Sequence, residues 1–200
     1  MRFRYCVFAA FALFSAACGR TAEAPAPSQA VIPISAAFTG VYRLTSVDKG
    51  VVTQENFRGK TTLVYFGFTS CPDVCPVSLG VMSAALKQLS PKERGQIAAL
   101  FITVDPDRDT TEALKAYLGF DPSIIGLTGD AAASKAARDA FKVYAQKRDA
   151  GESAIGYTMD HSDLFYLVGP DTKPRAAVRT SVTPEELAAI LRRAIKGKFT

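Results

Sequence analysis

Few side chains in this sequence can carry transition-metal or nucleophilic chemistry: of 200 residues, four are Cys and one is His. Cys71 and Cys75 stand in Thr69-Ser70-Cys71-Pro72-Asp73-Val74-Cys75-Pro76, directly after the apolar run Leu63 to Phe68. If a helix opens there, a spacing of four places both sulfurs on one face. The amino end of a helix carries partial positive charge and unpaired N–H groups. A thiol there is more acidic than free Cys, whose pKa is about 8.5, and is a better nucleophile or metal ligand. Asp73 works against this, because its negative charge disfavours a thiolate. Such a pair has three uses: a structural disulfide, a redox couple or a metal site. Helical geometry permits the disulfide, with Cα atoms about 6 Å apart. Closing so short a loop, however, stabilises far less than the ~3 kcal/mol of a 15-residue loop.

The single histidine is His161, in Tyr157-Thr158-Met159-Asp160-His161-Ser162, just before the apolar run Leu164 to Val168. Loops at one edge of an α/β sheet converge on a common crevice, so an imidazole at a strand end can face a helix opening from a neighbouring strand. Two thiolates and one imidazole make a soft three-ligand site that suits copper(I), accommodates zinc and is poor for magnesium or calcium. Met159, two residues earlier, shares a face with His161 if the strand reaches back that far. Its thioether serves either as an extra copper ligand or as packing.

Alternating elements must position these groups. Leu63 to Phe68 reads as a strand buried on both faces, and Cys71-Pro72 as the opening of a helix to about Leu89, with Pro72 at its first position. Ile97 to Val104 is a second buried strand. Asp109 then caps a helix whose third position is Glu112 and which runs to about Leu118. Ile124 to Leu127 is a short strand, and Asp130 to Gln146 a helix with Ala136, Ala140, Phe141 and Tyr144 inward. Leu164 to Val168 and Ala176 to Arg179 form a hairpin about Gly169-Pro170-Asp171. Thr183, Pro184 and Glu186 then spell the cap, first position and capping box of a last helix. This order predicts an α/β sandwich with a mixed sheet. The loop Asp105-Pro106-Asp107-Arg108-Asp109 reads as a capped strand-to-helix connection, with a docking surface as its other use.

Composition agrees with one folded domain, since 48% of residues are hydrophobic and 22% charged. Arg2 and Arg4, the apolar run Tyr5 to Phe14 and Ser15-Ala16-Ala17-Cys18 form a bacterial export signal, too short to span a bilayer as a mature helix. The small residues before Cys18 resemble a lipobox, with Ser15 where Leu is usual, so residues 1–18 read as a lipoprotein-type signal and Cys18 as the lipidated first residue. Cleavage without lipidation is the alternative, and Cys6 has no assigned role. Removing Arg2 and Arg4 leaves 22 basic against 19 acidic residues, a charge of +3 that implies no nucleic-acid partner. Residues 19–37, rich in Ala and Pro, read as a tether, and residues 38–198 as the domain.

The runs Val64 to Pro76, Phe101 to Thr110, Gly126-Leu127-Thr128-Gly129 and Asp160-His161-Ser162 together resemble the SCO/SenC family of copper-binding cytochrome c oxidase assembly proteins. The resemblance implies a thioredoxin-like fold with an N-terminal strand extension, attachment to the membrane, and copper, as Cu(I) and Cu(II), held by Cys71, Cys75 and His161. It also implies a metallochaperone that helps build the binuclear copper site of oxidase subunit II, with other periplasmic copper chaperones as further partners. A lipidated Cys18 would hold the protein on the periplasmic side of the cytoplasmic membrane. The alternative role is a thiol-disulfide oxidoreductase that keeps the oxidase copper-site cysteines reduced. Val77, where the family commonly has Thr, departs from the pattern.

Overall fold

The computed structural model describes residues 30–149 and 156–199, together with Met1 and Gly151. The export signal, Cys18 and most of the expected tether lie outside the described residues. Two strands form the centre: β4 is Thr61–Gly67 and β5 is Ile97–Thr103, both buried along their whole length. They run parallel, from Thr61 opposite Ile97 to Gly67 opposite Thr103. Unbroken apolar runs suit strands covered on both faces. A third strand, β6 (Ile124–Thr128), extends this parallel block beside β5. On the other side β9 (Leu164–Val168) is antiparallel to β4, and β10 (Pro174–Arg179) is antiparallel to β9.

The N-terminal extension adds the remaining strands. A hairpin of β2 (Arg43–Ser46) and β3 (Gly50–Thr53) pairs with β6, while β1 (Val31–Pro33) lies against β10 at the opposite edge. The full order of the mixed sheet is β1-β10-β9-β4-β5-β6-β2-β3. The stretch read as tether to residue 37 therefore gives its last part to the sheet. Val31 is buried opposite Val178, and Pro33 sits on an edge strand where its missing N–H is harmless.

Helices cover both faces, as adjacent residues of β4 show. Tyr65 points to one side, where its hydroxyl meets Asp163, which also accepts from Ser78 of α1 (Val74–Lys87). Phe66 points to the other, with its ring centroid 5.3 Å from that of Phe141, the last residue of α4 (Ala131–Phe141). The C-terminal helix α5 (Pro184–Ala194) packs on α1 and carries the expected cap: Thr183 accepts from the Glu186 N–H while Glu186 accepts from that of Thr183. Two shorter α-helices, α2 (Pro91–Arg94) and α3 (Thr111–Tyr117), and a 3-10 turn at Gln54–Phe57 complete the described set. None of the helices among the described residues is long and apolar enough to cross a membrane.

Four local expectations are corrected. The helix after β4 begins at Val74, so Pro72 precedes it. Thr110, whose hydroxyl accepts from Ala113, caps α3 in place of Asp109. The inward face of α4 is Ser134, Ala137, Ala140 and Phe141, with Ala136 and Tyr144 exposed. That helix stops at Lys142, which turns left-handed (φ 54°) and sends its N–H back to the preceding turn. The chain beyond forms a separate hairpin of β7 (Ala145–Asp149) and β8 (Tyr157–His161).

Candidate metal centre

The thiol pair sits where β4 runs out. Pro72 disfavours helical backbone at Cys71, which stays in the turn before α1, while Cys75 is the second helical residue. Pro76 follows in the first turn, where a missing N–H loses nothing. The unpaired Cys75 amide points at the Cys71 Sγ, 3.5 Å away, so that sulfur takes the place of a capping oxygen. Both thiols are free and buried, Cys71 at 8% exposure and Cys75 at 0%. Gly67 at the end of β4 leaves room for the inner sulfur, since a Cβ there would lie 3.0 Å from Cys75 Sγ. The two thiols do not titrate alike. Hydrogen bonding from Cys75 lowers Cys71 to about 4 against its burial, with help from His161 and the amides of Asp73 and Cys75. Cys75 is pushed far up, first by the proton it shares with Cys71 and then by burial. The pair therefore favours ionisation at Cys71, with the shared proton kept on Cys75.

His161 is the last residue of β8, paired with Ala145. Its Nδ1 lies 2.9 Å from the Ser162 carbonyl, which can only accept, so Nδ1 carries the hydrogen. The other nitrogen, Nε2, faces Cys75 Sγ at 3.6 Å. Two ligands on one tetrahedral ion, at about 2.3 Å for sulfur and about 2.0 Å for nitrogen, would stand roughly 3.5 Å apart. The ring is held edge-on by Phe68 (5.8 Å between centroids) and Tyr65 (6.4 Å). Among the described residues no three His, Cys, Asp or Glu side chains already form a closed metal-holding group. Cys71 and His161 meet at one opening, while Cys75, fully buried, does not line it and is reached from His161 Nε2. That opening is a cleft of about 500 Å³ which Cys71, His161 and Met159 line together. Met159 is half-buried and packs against the core.

The family description SCO1/SenC matches residues 33–196. The chain belongs to the SCO1/SenC family. An SCO2-like protein of Rickettsia conorii is 35% identical over 175 residues, covering 86% of this chain and 85% of the relative. The mitochondrial Protein SCO2 of Saccharomyces cerevisiae is 41% identical over 138 residues, covering 68% of this chain but only 46% of the yeast protein. The solved structure of Bradyrhizobium japonicum ScoI with copper bound has a TM-score of 0.72 at 40% identity, covering 79% of this chain and 99% of that one. The fold of this SCO1/SenC chain is thioredoxin-like.

Several supporting residues are not signalled by local sequence. Asp109, at 0% exposure, accepts from the Thr69 N–H (3.1 Å), the Thr69 hydroxyl (2.6 Å) and the Thr103 hydroxyl (2.6 Å), tying the turn before Cys71 to the end of β5. Burial raises its pKa against those hydrogen bonds. Asp163 accepts from the hydroxyls of Tyr65 at 2.9 Å and Thr180 at 2.6 Å, anchoring the chain two residues after His161. Both depend on contacts far apart in sequence. The quoted motifs contain Asp109 but say nothing of its partners.

Proposed function

We propose that this protein is a copper metallochaperone of cytochrome c oxidase assembly. Cys71 and Cys75, as thiolates, and His161, through Nε2, take up Cu(I) or Cu(II) as cargo. They pass it by ligand exchange to the binuclear copper site of oxidase subunit II. The observation that carries the reading is the imidazole: with Nδ1 turned to the Ser162 carbonyl, its Nε2 faces the inner thiol at 3.6 Å. A thiol-disulfide oxidoreductase requires only the cysteine pair, whereas the copper reading also requires the imidazole. The soft sulfurs suit Cu(I), and the nitrogen extends the set towards Cu(II). An open cleft and only three protein ligands favour release to an acceptor that offers more. Other periplasmic copper chaperones are the proposed source of the metal. Lipidation of Cys18 is the proposed anchor on the periplasmic side of the cytoplasmic membrane, the domain following the tether.

Replacement of His161 tests the reading, because both roles need the cysteines and only one needs the ring. His161→Ala should lose the Cu(II) absorption and resonance signals, keep weaker Cu(I) binding and fail to support oxidase assembly under copper limitation. Assembly at the wild-type rate would overturn the chaperone role. Mass spectrometry of the native N-terminus tests the anchor: a mature chain beginning anywhere but at a modified Cys18 would refute it.

A further inference from the structure

The hairpin that carries His161 stands outside the eight-stranded ladder. A lone two-stranded hairpin is at best marginally stable in water, so tertiary contacts must fix it. At its base the Ser162 N–H donates to the Tyr144 carbonyl and the Tyr144 N–H to the Ser162 hydroxyl, each at 3.0 Å. Its far end is held by a charged cluster on the loop after β5. Arg108 Nε meets Asp105 Oδ2 at 2.5 Å, and its Nη1 donates to the Tyr157 carbonyl at 2.9 Å. The same guanidinium lies 3.7 Å from the centre of the Tyr157 ring, and Lys147, paired with Asp107, lies 3.9 Å from it. The Tyr157 hydroxyl closes the circuit by donating to Asp105 at 2.8 Å. Asp105 is only 2% exposed, so this carboxylate is partnered away from water.

Tyr157, Met159 and His161 alternate along β8 and so share one face. One residue is clamped, the next packs on the core, and the third faces the thiols. Arg108 also lies 5.9 Å from the centre of the Phe68 ring, which itself stands edge-on to His161. We infer that Tyr157, gripped by Arg108 and Asp105, is a positioning residue that sets the hairpin and hence the aim of the imidazole towards the metal. This rests on the copper reading of His161. Coordination is sensitive to small displacements, and clamp and ligand are separated by four residues, about 13 Å of strand.

Tyr157→Leu removes the ring and hydroxyl while leaving the Arg108–Asp105 pair. Loss of a group that orients a ligand commonly weakens metal affinity about 10–100-fold. Titration of the reduced protein with Cu(II) should show a fall of about tenfold with an altered resonance spectrum, while Cu(I) stays bound by the two thiolates. Amide exchange should quicken in residues 145–149 and 157–161 and stay slow in β4 and β5. Tyr157→Phe, which keeps the ring beneath the guanidinium, should recover most of the spectrum. If Tyr157→Leu keeps the wild-type Cu(II) signal and hairpin exchange, the clamp is refuted. If it does not fold, Arg108→Lys must reproduce the loss, because an ammonium cannot span Asp105 and the Tyr157 carbonyl as a planar fork does; wild-type behaviour there also refutes the clamp. His161→Ala separates the two claims. A Cu(II) signal unchanged in that variant defeats the ligand assignment, whereas loss there with no change in the Tyr157 and Arg108 variants defeats only the clamp.

Discussion

Gly67→Ala probes how tightly the inner thiol is seated. A Cβ added at Gly67 would lie 2.8 Å from Phe101 Cε2, 3.2 Å from its Cζ and 3.0 Å from Cys75 Sγ. Carbon atoms sit best about 3.5–4.0 Å apart, so several tenths of an ångström must be found on each side. Phe101 and Cys75 are both fully buried, so neither retreats freely and both the ring and the sulfur must shift. Overpacking of this kind costs about 1–3 kcal/mol, and the loss of glycine's freedom in the unfolded chain returns about 0.4–1 kcal/mol. The net loss is about 1–2 kcal/mol. For a domain of this size that lowers Tm by roughly 2–8 °C at about 2–4 °C per kcal/mol. Displacement of Cys75 Sγ also disturbs its 3.6 Å approach to His161, so copper affinity should fall further than stability alone explains. Thermal unfolding of the reduced metal-free protein, with competitive copper titration against a chelator, measures both effects. A variant with wild-type Tm and wild-type affinity would show that Gly67 does not seat this sulfur.

The remaining expectations concern charge and oxidation. Asp109→Ala strands three donors within the protein and should cost about 2–4 kcal/mol by denaturant unfolding, with Asp109→Asn losing less than half of that. Because burial raises the Asp109 pKa, the folded state holds its proton more tightly than the unfolded chain. The wild-type advantage over Asp109→Asn should therefore grow as pH falls through the raised value towards the ordinary 3.8. With Cys71 lowered to about 4 and Cys75 pushed up, Cu(I) loading at pH 7 should release close to one proton per ion from the pair; two ordinary thiols near 8.5 would release close to two. Protein oxidised to the Cys71–Cys75 disulfide should bind copper poorly until a reductant is added. Equal affinity of oxidised and reduced protein would contradict the thiolate ligands.

What the sequence revealed depended on how local the determining contacts are. The capping box at Thr183 and the unbroken apolar runs of β4 and β5 are complete within a few residues, and each matches the structure. Pro72 was ambiguous because proline suits a first helical position and equally holds the preceding residue extended; the second effect prevails at Cys71. The β7–β8 hairpin gave little pattern, since Gln146-Lys147-Arg148-Asp149 is exposed and its fixing contacts lie on the loop at Asp105 to Arg108. Asp109 had the residue type and spacing of a helix cap, but its partners Thr69 and Thr103 lie on the ends of two neighbouring strands. The thiol pair and the imidazole were visible as residue types and motifs. Their approach to one another required the assembled sheet, with β9 beside β4.

Because His161 is the only histidine in the chain, copper-edge X-ray absorption on untagged, reduced, copper(I)-loaded protein tests the ligand set directly. The account predicts one copper per chain with two sulfur neighbours and a single imidazole pattern. Cys71→Ser should leave one sulfur, and His161→Ala should remove the imidazole pattern while both sulfurs remain. A copper shell without sulfur, or without imidazole in the wild-type protein, would contradict it.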